Sequence, residues 1–337
     1  MELALHTPQM DTAGAAGSVL AHFRLAHFRF RLEASTPIAL PEYKGSTFRG
    51  ALGHALKRLV CVTGMHSCEP CLLRPRCVYP YLFESRPPQD ATALRNYRDI
   101  PQPYVLIPPL TEQREFQIGA AFAVELVLFG KGIDHLGYFI YALQKMGAHG
   151  VGPGRGTFKL VAVDALQADQ SACEIYSAEK IALQEFGPPI SMQQITATQS
   201  ASNTQRIALE FLTPTRLTQD DKLVEQPEFH ILIRRLLSRL SSLSRFHHDM
   251  PLEIDFRALI EAAKQVTIAA HTLHWHDWER YSNRQQARMK LGGVLGTVSY
   301  AGNLEPFLPF LALGAWTHVG KGTSFGLGRY RMVSVEG

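Results

Sequence analysis

An internal repeat constrains this chain more than any other feature. Residues 29–40 read RFRLEASTPIAL and residues 206–217 read RIALEFLTPTRL, so Arg, Leu-Glu, Thr-Pro and Leu recur at one constant offset. The closing segments match as well. GAHGVGPGRGTFKLVAV at 147–163 and THVGKGTSFGLGRYRMVSV at 317–335 each run from a helix end through a histidine and a glycine-rich loop into a strand-like run. Similarity at both ends of two halves means one structural unit used twice. Between these ends each half offers an amphipathic helix (44–61 and 228–246), two strand-like runs and a second helix. That is the β-α-β-β-α-β order of a ferredoxin-like domain, so the expected class is α+β with two such domains in tandem, packed so that their basic faces share a groove. The expected boundaries are a flexible N-terminus over 1–20, a first domain over 21–165, a Gln/Ser/Thr-rich connector over 166–204 and a second domain over 205–337. A chain of 337 residues with 46% hydrophobic content is ample for both.

The first twenty residues lack a basic start followed by an apolar core, and no uninterrupted apolar run of about eighteen residues occurs. The expectation is a soluble, cytoplasmic protein with no membrane partner. In a reducing compartment the cysteines do not read as disulfides. Cys61, Cys68, Cys71 and Cys77 fall within CVTGMHSCEPCLLRPRC, a central C-x-x-C with one further cysteine at loop distance on each side. This spacing suits a structural zinc knuckle over 61–77, inserted in the first domain; free thiols and an iron–sulfur cluster are the alternatives. Four sulfurs close the coordination shell, which argues for a structural metal and against a catalytic one. Cys173 stands alone and reads as a packing residue.

The glycine-rich loop at 320–328 raises the question of phosphate. It is not a P-loop, because Gly322 rather than Ser or Thr follows Lys321. It is not a dinucleotide fingerprint either, because it follows a helix-like run and precedes the last strand, with no room for a further unit. The net charge of +4 is compatible with a polyanionic partner but does not require one.

The tandem architecture, TFRGALGHALKRLV, the cysteine cluster followed by YPYLFES, RYSNRQQARMKLGG and the loop GKGTSFGLG occur in this order over nearly the whole chain from about residue 24. Together they resemble the RAMP superfamily, whose domains are ferredoxin-like and RRM-like, and within it the endoribonucleases that cut precursor CRISPR RNA into guides. The resemblance implies a metal-independent reaction in which the ribose 2′-hydroxyl attacks the adjacent phosphate, leaving 2′,3′-cyclic phosphate and 5′-hydroxyl ends. It also implies CRISPR repeat RNA and mature guide RNA as partners, with CRISPR effector subunits beside them.

By the same resemblance His54, on the first helix, is the expected catalytic histidine, with Tyr43 at the helix start positioning or protonating an oxygen. Gly50, His54, Lys57 and Arg58 share one side of that helix at three- and four-residue spacing, so Lys57 or Arg58 can stabilise charge on the same phosphate. The expected RNA contacts are Arg49 and Arg58; Arg280, Arg284 and Arg288, one face of a strand or hairpin if the spacing stays even; and Gly320, Lys321, Gly322, Ser324, Phe325 and Gly326 of the loop. His318 abuts the loop at a helix C-terminus and is the second candidate base, although that position also suits a structural role. His247 and His248 read as capping or solvated residues, His271, His274 and His276 form no ligand trio, and Arg234, Arg235 and Arg239 are left out of the site. Two other readings stay open: a non-catalytic RAMP-type RNA-binding subunit of a CRISPR effector complex, and an unrelated zinc-stapled binding protein.

Overall fold

The computed structural model describes residues 17–85, 100–198, 205–282 and 287–333. The first half opens with β1 (Arg24–Ala34), whose alternation sends Phe28, Phe30 and Leu32 to one face and His27, Arg29 and Arg31 to the other. Helix α1 (Gly45–Val60) and the short α2 (Val78–Phe83) follow. Then come β2 (Tyr104–Ile107), β3 (Ala121–Phe129), α3 (Leu136–His149) and β4 (Phe158–Leu166). The sheet runs β2-β3-β1-β4, with each neighbouring pair antiparallel.

The segment after β4 is more than the polar connector expected over 166–204. It adds β5 (Ala172–Ser177) and β6 (Ala182–Leu183) to the edge of the first sheet. It then pairs β7 (Ile190–Ser191) with the start of β1 and forms α4 (Met192–Ala197), capped by Ser191 and Gln194 in a reciprocal box. Three apolar residues, Ile190, Met192 and Ile195, anchor it in the core, which polar composition alone conceals. Within the expected flexible N-terminus over 1–20, Leu20 is fully buried, while residues 1–16 lie outside the described residues.

The second half repeats the first. It runs β8 (Arg206–Thr215), α5 (Phe229–His247), α6 (Phe256–Ala263), β9 (Thr267–His271) and β10 (His274–His276). A hairpin of β11 (Glu279–Ser282) and β12 (Ala287–Lys290) precedes β13 (Gly293–Ala301), α7 (Leu308–Thr317) and β14 (Tyr330–Val333). The sheet order is β9-β13-β8-β14, with β10 also on β13. The strand carrying the repeated motif thus lies between the third and fourth principal strands of its sheet in both halves.

Two apolar clusters hold the molecule. Phe28, Phe30 and Leu32 pack with Phe48, Leu52 and Leu56 of α1 and Phe139 and Leu143 of α3. On the opposite face, Leu25, Val105, Val127 and Phe129 join Leu236, Leu240, Leu311 and Leu313 of the second half in one continuous cluster. The domains therefore meet through an apolar core, which the basic faces expected from sequence did not include.

Candidate nucleic-acid interface

The repeated Thr-Pro motif has a structural reason. The backbone N–H of Thr157 donates to Thr36 Oγ1 at 2.8 Å, and that of Arg329 donates to Thr213 Oγ1 at 2.9 Å. In return the carbonyl of Thr157 accepts from the amides of Ser35 and Thr36, and that of Arg329 from those of Leu212 and Thr213. Each threonine thus clasps the residue that leads from a glycine loop into the last strand. The loops themselves correspond: Gly152 presses on the carbonyl oxygen of Ala39 and Gly320 on that of Arg216, and at neither site is there space for a Cβ.

The loops differ in length. Three residues separate Gly152 from Gly156, and seven separate Gly320 from Gly328. The extra chain forms a 3-10 turn at Thr323–Phe325 that reaches the first domain. Tyr43 donates its hydroxyl to the Phe325 carbonyl at 2.8 Å, and a Cβ on Gly45, at the start of α1, would collide with the same carbonyl. Gly326 lies against the Leu106 carbonyl and Pro108. The loop expected to cradle phosphate is therefore largely a tether between domains. Ser324 is buried and Gly326 is packed, while Lys321 remains exposed, with Gly320, Gly322 and Phe325 half-buried beside it.

Tyr43 is correspondingly a tethering residue and not a free proton donor: burial pushes its pKa far up, against a smaller opposing pull from Arg329, and its hydroxyl is engaged. Its ring packs 4.6 Å from that of Trp278, a partner that no sequence motif announced. Arg49 is held between Phe83 and Phe325, 5.0 and 5.2 Å from the ring centroids, and donates from Nη2 to the Phe83 carbonyl. It joins α1 to the loop and presents only part of its guanidinium.

The outer side of α1 is open. His54 and Arg58 are exposed one turn apart, and one turn before His54 nothing lies within 4 Å of a Cβ placed on Gly50. Lys57 does not join them: its Nζ donates to the His66 carbonyl at 2.7 Å and lies 5.6 Å from the centre of the Tyr79 ring, which ties it to the cysteine-rich loop.

Of the three arginines expected on one hairpin face, Arg284 lies outside the described residues. The register pairs Arg280 with Met289 and Tyr281 with Arg288, so Arg280 and Arg288 fall on opposite faces. Even spacing would align them on one strand, but Arg280 and Arg288 stand on two antiparallel strands whose register offsets them by one residue. The hairpin base reaches the tether through Trp278 on Tyr43, and Arg216 Nη1 donates to the Gly292 carbonyl at 2.7 Å.

The other candidate histidines are structural. His318 is buried with a positive φ of 59°, its Nδ1 is 3.1 Å from the Leu327 carbonyl, and burial holds its pKa well below the usual value. His247 is neither solvated nor a simple cap. Its Nε2 donates to the Pro101 carbonyl at 2.8 Å, so its Nδ1 accepts from the Tyr81 hydroxyl at 3.2 Å across the domain boundary. Arg239 is buried and donates from Nε to the Thr317 carbonyl.

Cys61, Cys68, Cys71 and Cys77 line one pocket together with Lys57 and Tyr79. Thr63 Oγ1 sits between Cys61 Sγ at 3.7 Å and Cys71 Sγ at 3.9 Å. Among the described residues no three His, Cys, Asp or Glu side chains stand in ligand geometry, so the thiols converge without forming the tetrahedral set the spacing predicts. The donor set still has the chemistry that thiophilic metals take. No helix among the described residues is long and apolar enough to cross a membrane.

Comparison with known proteins adds two family matches. Residues 23–188 match the model AF_1859_N, described as an N-terminal domain, and residues 209–330 match the CRISPR-associated endoribonuclease Cas6. A protein of Archaeoglobus fulgidus, described as uncharacterized, is 24% identical over 298 residues, which is 88% of this chain and 93% of its own. A solved Cas6 product complex superposes with a TM-score of 0.56 at 16% identity, over 92% of this chain and 99% of that one. Thermus thermophilus Cas6 gives 0.53 at 14% over the same shares. A partial Cas6-RT-Cas1–Cas2 complex gives 0.56 at 15%, over 94% of this chain and 47% of that one. At such identities the superpositions speak to the fold, while the Cas6 match over residues 209–330 spans the second domain from the repeated strand to the closing loop. The second domain therefore carries the Cas6 match, and the chain as a whole shares the fold of solved Cas6 proteins.

Proposed function

We propose that this chain is a metal-independent endoribonuclease that cuts CRISPR repeat RNA. The observation that carries the proposal is His54: an exposed imidazole in the middle of α1, beside the opening at Gly50 and one turn from Arg58. A sugar-phosphate backbone can approach the helix at Gly50 closely enough for the imidazole to reach it. In the proposed reaction the 2′-hydroxyl gives up its proton and attacks phosphorus, the P–O5′ bond breaks, and the departing 5′ oxygen takes a proton. The products are a 2′,3′-cyclic phosphate and a 5′-hydroxyl. His54 carries one of the two proton transfers, and Arg58 faces the charge that builds on the phosphorane. Lys321 and the hairpin hold the RNA on the second domain, and the mature guide remains as a bound product available to CRISPR effector subunits. Tyr43 and Arg49 act by positioning α1 against the loop.

We further propose that Cys61, Cys68, Cys71 and Cys77 bind one zinc ion that organises residues 61–77 and takes no part in the reaction. Elemental analysis then finds about one zinc per chain. Cys71→Ser loses it and lowers thermal stability.

One observation favours a second reading, an RNA-binding subunit without activity: Tyr43 and Lys57, two of the three expected catalytic groups, are engaged elsewhere. Single-turnover cleavage of a labelled repeat RNA in EDTA separates the two. His54→Ala slows cleavage by roughly 10²–10⁴-fold with affinity nearly unchanged, and a 2′-deoxy substitution at the cut site abolishes cutting but not binding. Wild-type protein that binds the repeat and never cuts it establishes the subunit reading.

A further inference from the structure

The cysteine-rich loop has more exposed apolar surface than a structural staple requires. Leu72 is 96% exposed, Val62 83% and Leu73 50%, on a segment with no acidic face to balance its charge. Residues 57–77 carry Lys57, Arg58, Arg74 and Arg76 against Glu69. Arg58 and Arg76 are exposed and Arg74 is half-buried at the pocket of thiols. The loop is fixed to the end of α1 by Lys57, while the start of α1 is fixed to the glycine loop by Tyr43 and Arg49. Helix α1, with sixteen residues, therefore holds the two ends about 24 Å apart, and the open stripe of Gly50, His54 and Arg58 runs between them.

We propose that the cysteine-rich loop is a distal RNA clamp, which binds nucleotides on one flank of the cleavage site at a distance set by α1. This rests on the endoribonuclease reading and extends it. The occupant is single-stranded RNA because the stripe is continuous with the proposed site through Arg58, and because a single strand offers phosphates to arginines and unstacked base faces to exposed leucines in one ligand. The metal proposed above shapes the clamp; the contacts to RNA are made by Arg74, Arg76 and Leu72.

The test measures affinity of the full-length protein for a repeat RNA and for the same RNA trimmed one nucleotide at a time from either end. The expected result is that Arg74→Gln/Arg76→Gln binds the intact RNA about tenfold more weakly. The slope of log K against log salt falls by about 0.7 for each arginine removed. Trimming one end, and not the other, reaches a length at which variant and wild type bind equally. Because Arg74 lines the pocket, Leu72→Ser provides a second variant at a fully solvated position, and it shows the same length dependence with unchanged melting temperature and zinc content. Equal affinity of variants and wild type at every length overturns the clamp, as does a loss that is the same at every length. Variants that bind RNA normally but fail to join another CRISPR subunit make the loop a protein dock instead. Wild-type protein that binds no repeat RNA at all overturns the functional reading and the clamp with it.

Discussion

The two halves share a clasp and use it differently. In the first, the loop between Gly152 and Gly156 is short and closes its own sheet; in the second, the loop between Gly320 and Gly328 carries an extra turn that caps the other domain's helix. The first helices of the halves diverge in the complementary way. Helix α5 buries Arg239, Ser242, Ser244 and His247 at the centre of the molecule, whereas α1 keeps His54 and Arg58 in solvent. One copy supplies scaffold and tether, and the other keeps an open helix surface, where the proposed reaction is placed. Function in this chain is thus read from where the copies differ, and fold from where they agree.

The largest effect is expected from breaking the tether at α1. Gly45→Ala drives a methyl group into the Phe325 carbonyl and costs about 3 kcal/mol by thermal or urea unfolding. Gly50→Ala, five residues along the same helix, meets nothing and stabilises by about 0.5–1 kcal/mol through helix propensity. Equal effects at the two positions show that the second loop does not cap α1.

The clasp itself is sharpened by the same substitution in each copy. Thr213 is buried and its hydroxyl makes two bonds, accepting from the Arg329 amide and donating to the Gly326 carbonyl at 2.9 Å. Thr36 is exposed, and water replaces its bonds to the amide and the hydroxyl of Thr157. Thr213→Val is therefore expected to cost about 2 kcal/mol and Thr36→Val well under that, about 0.5 kcal/mol. Comparable losses from both indicate that the buried bond to the lengthened loop carries no more stability than the exposed one to Thr157.

The sequence exposed the repeat because the clasp requires Thr in both copies, and the strand orders follow from it. What it concealed were differences of burial. Ser324 and Phe325 read as phosphate contacts because Gly, Ser and Lys have the same composition whether a loop holds an anion or docks on a helix. Aligning Gly152 with Gly320 would have revealed the extra turn. Ile190, Met192 and Ile195 were hidden among Gln, Ser and Thr, too sparse to show a period. The even spacing of Arg280, Arg284 and Arg288 misled because the first and the last stand on different strands of an antiparallel pair. His54 remains where the helical period put it, on the open side of α1. Tyr43 and Lys57 are near it in sequence, yet their polar atoms are satisfied by the tether and by the cysteine-rich loop.

The smallest predicted effect concerns how the two helices end. Helix α1 ends in the exposed cysteine-rich loop, while α5 ends inside the molecule at His247. Burial lowers the His247 pKa to about 4, with the Pro101 carbonyl opposing and His248, Arg239 and Lys131 adding to the fall. Tyr81, which donates to Nδ1, requires the neutral ring. A histidine depressed in the folded state stabilises fully above its unfolded value near 6.5, and that stability is lost as pH falls toward the folded value. Between pH 6.5 and 5.5 this amounts to about 1 kcal/mol. The reading is the difference between wild type and His247→Gln, because His22, His135 and His248 are also lowered by burial and contribute to the wild-type slope. Urea unfolding at the two pH values should show the steeper loss in wild type. Identical slopes mean that α5 ends in a site that accommodates the charged ring, and that the domain boundary at Tyr81 and Pro101 opens more readily than the bonds across it imply.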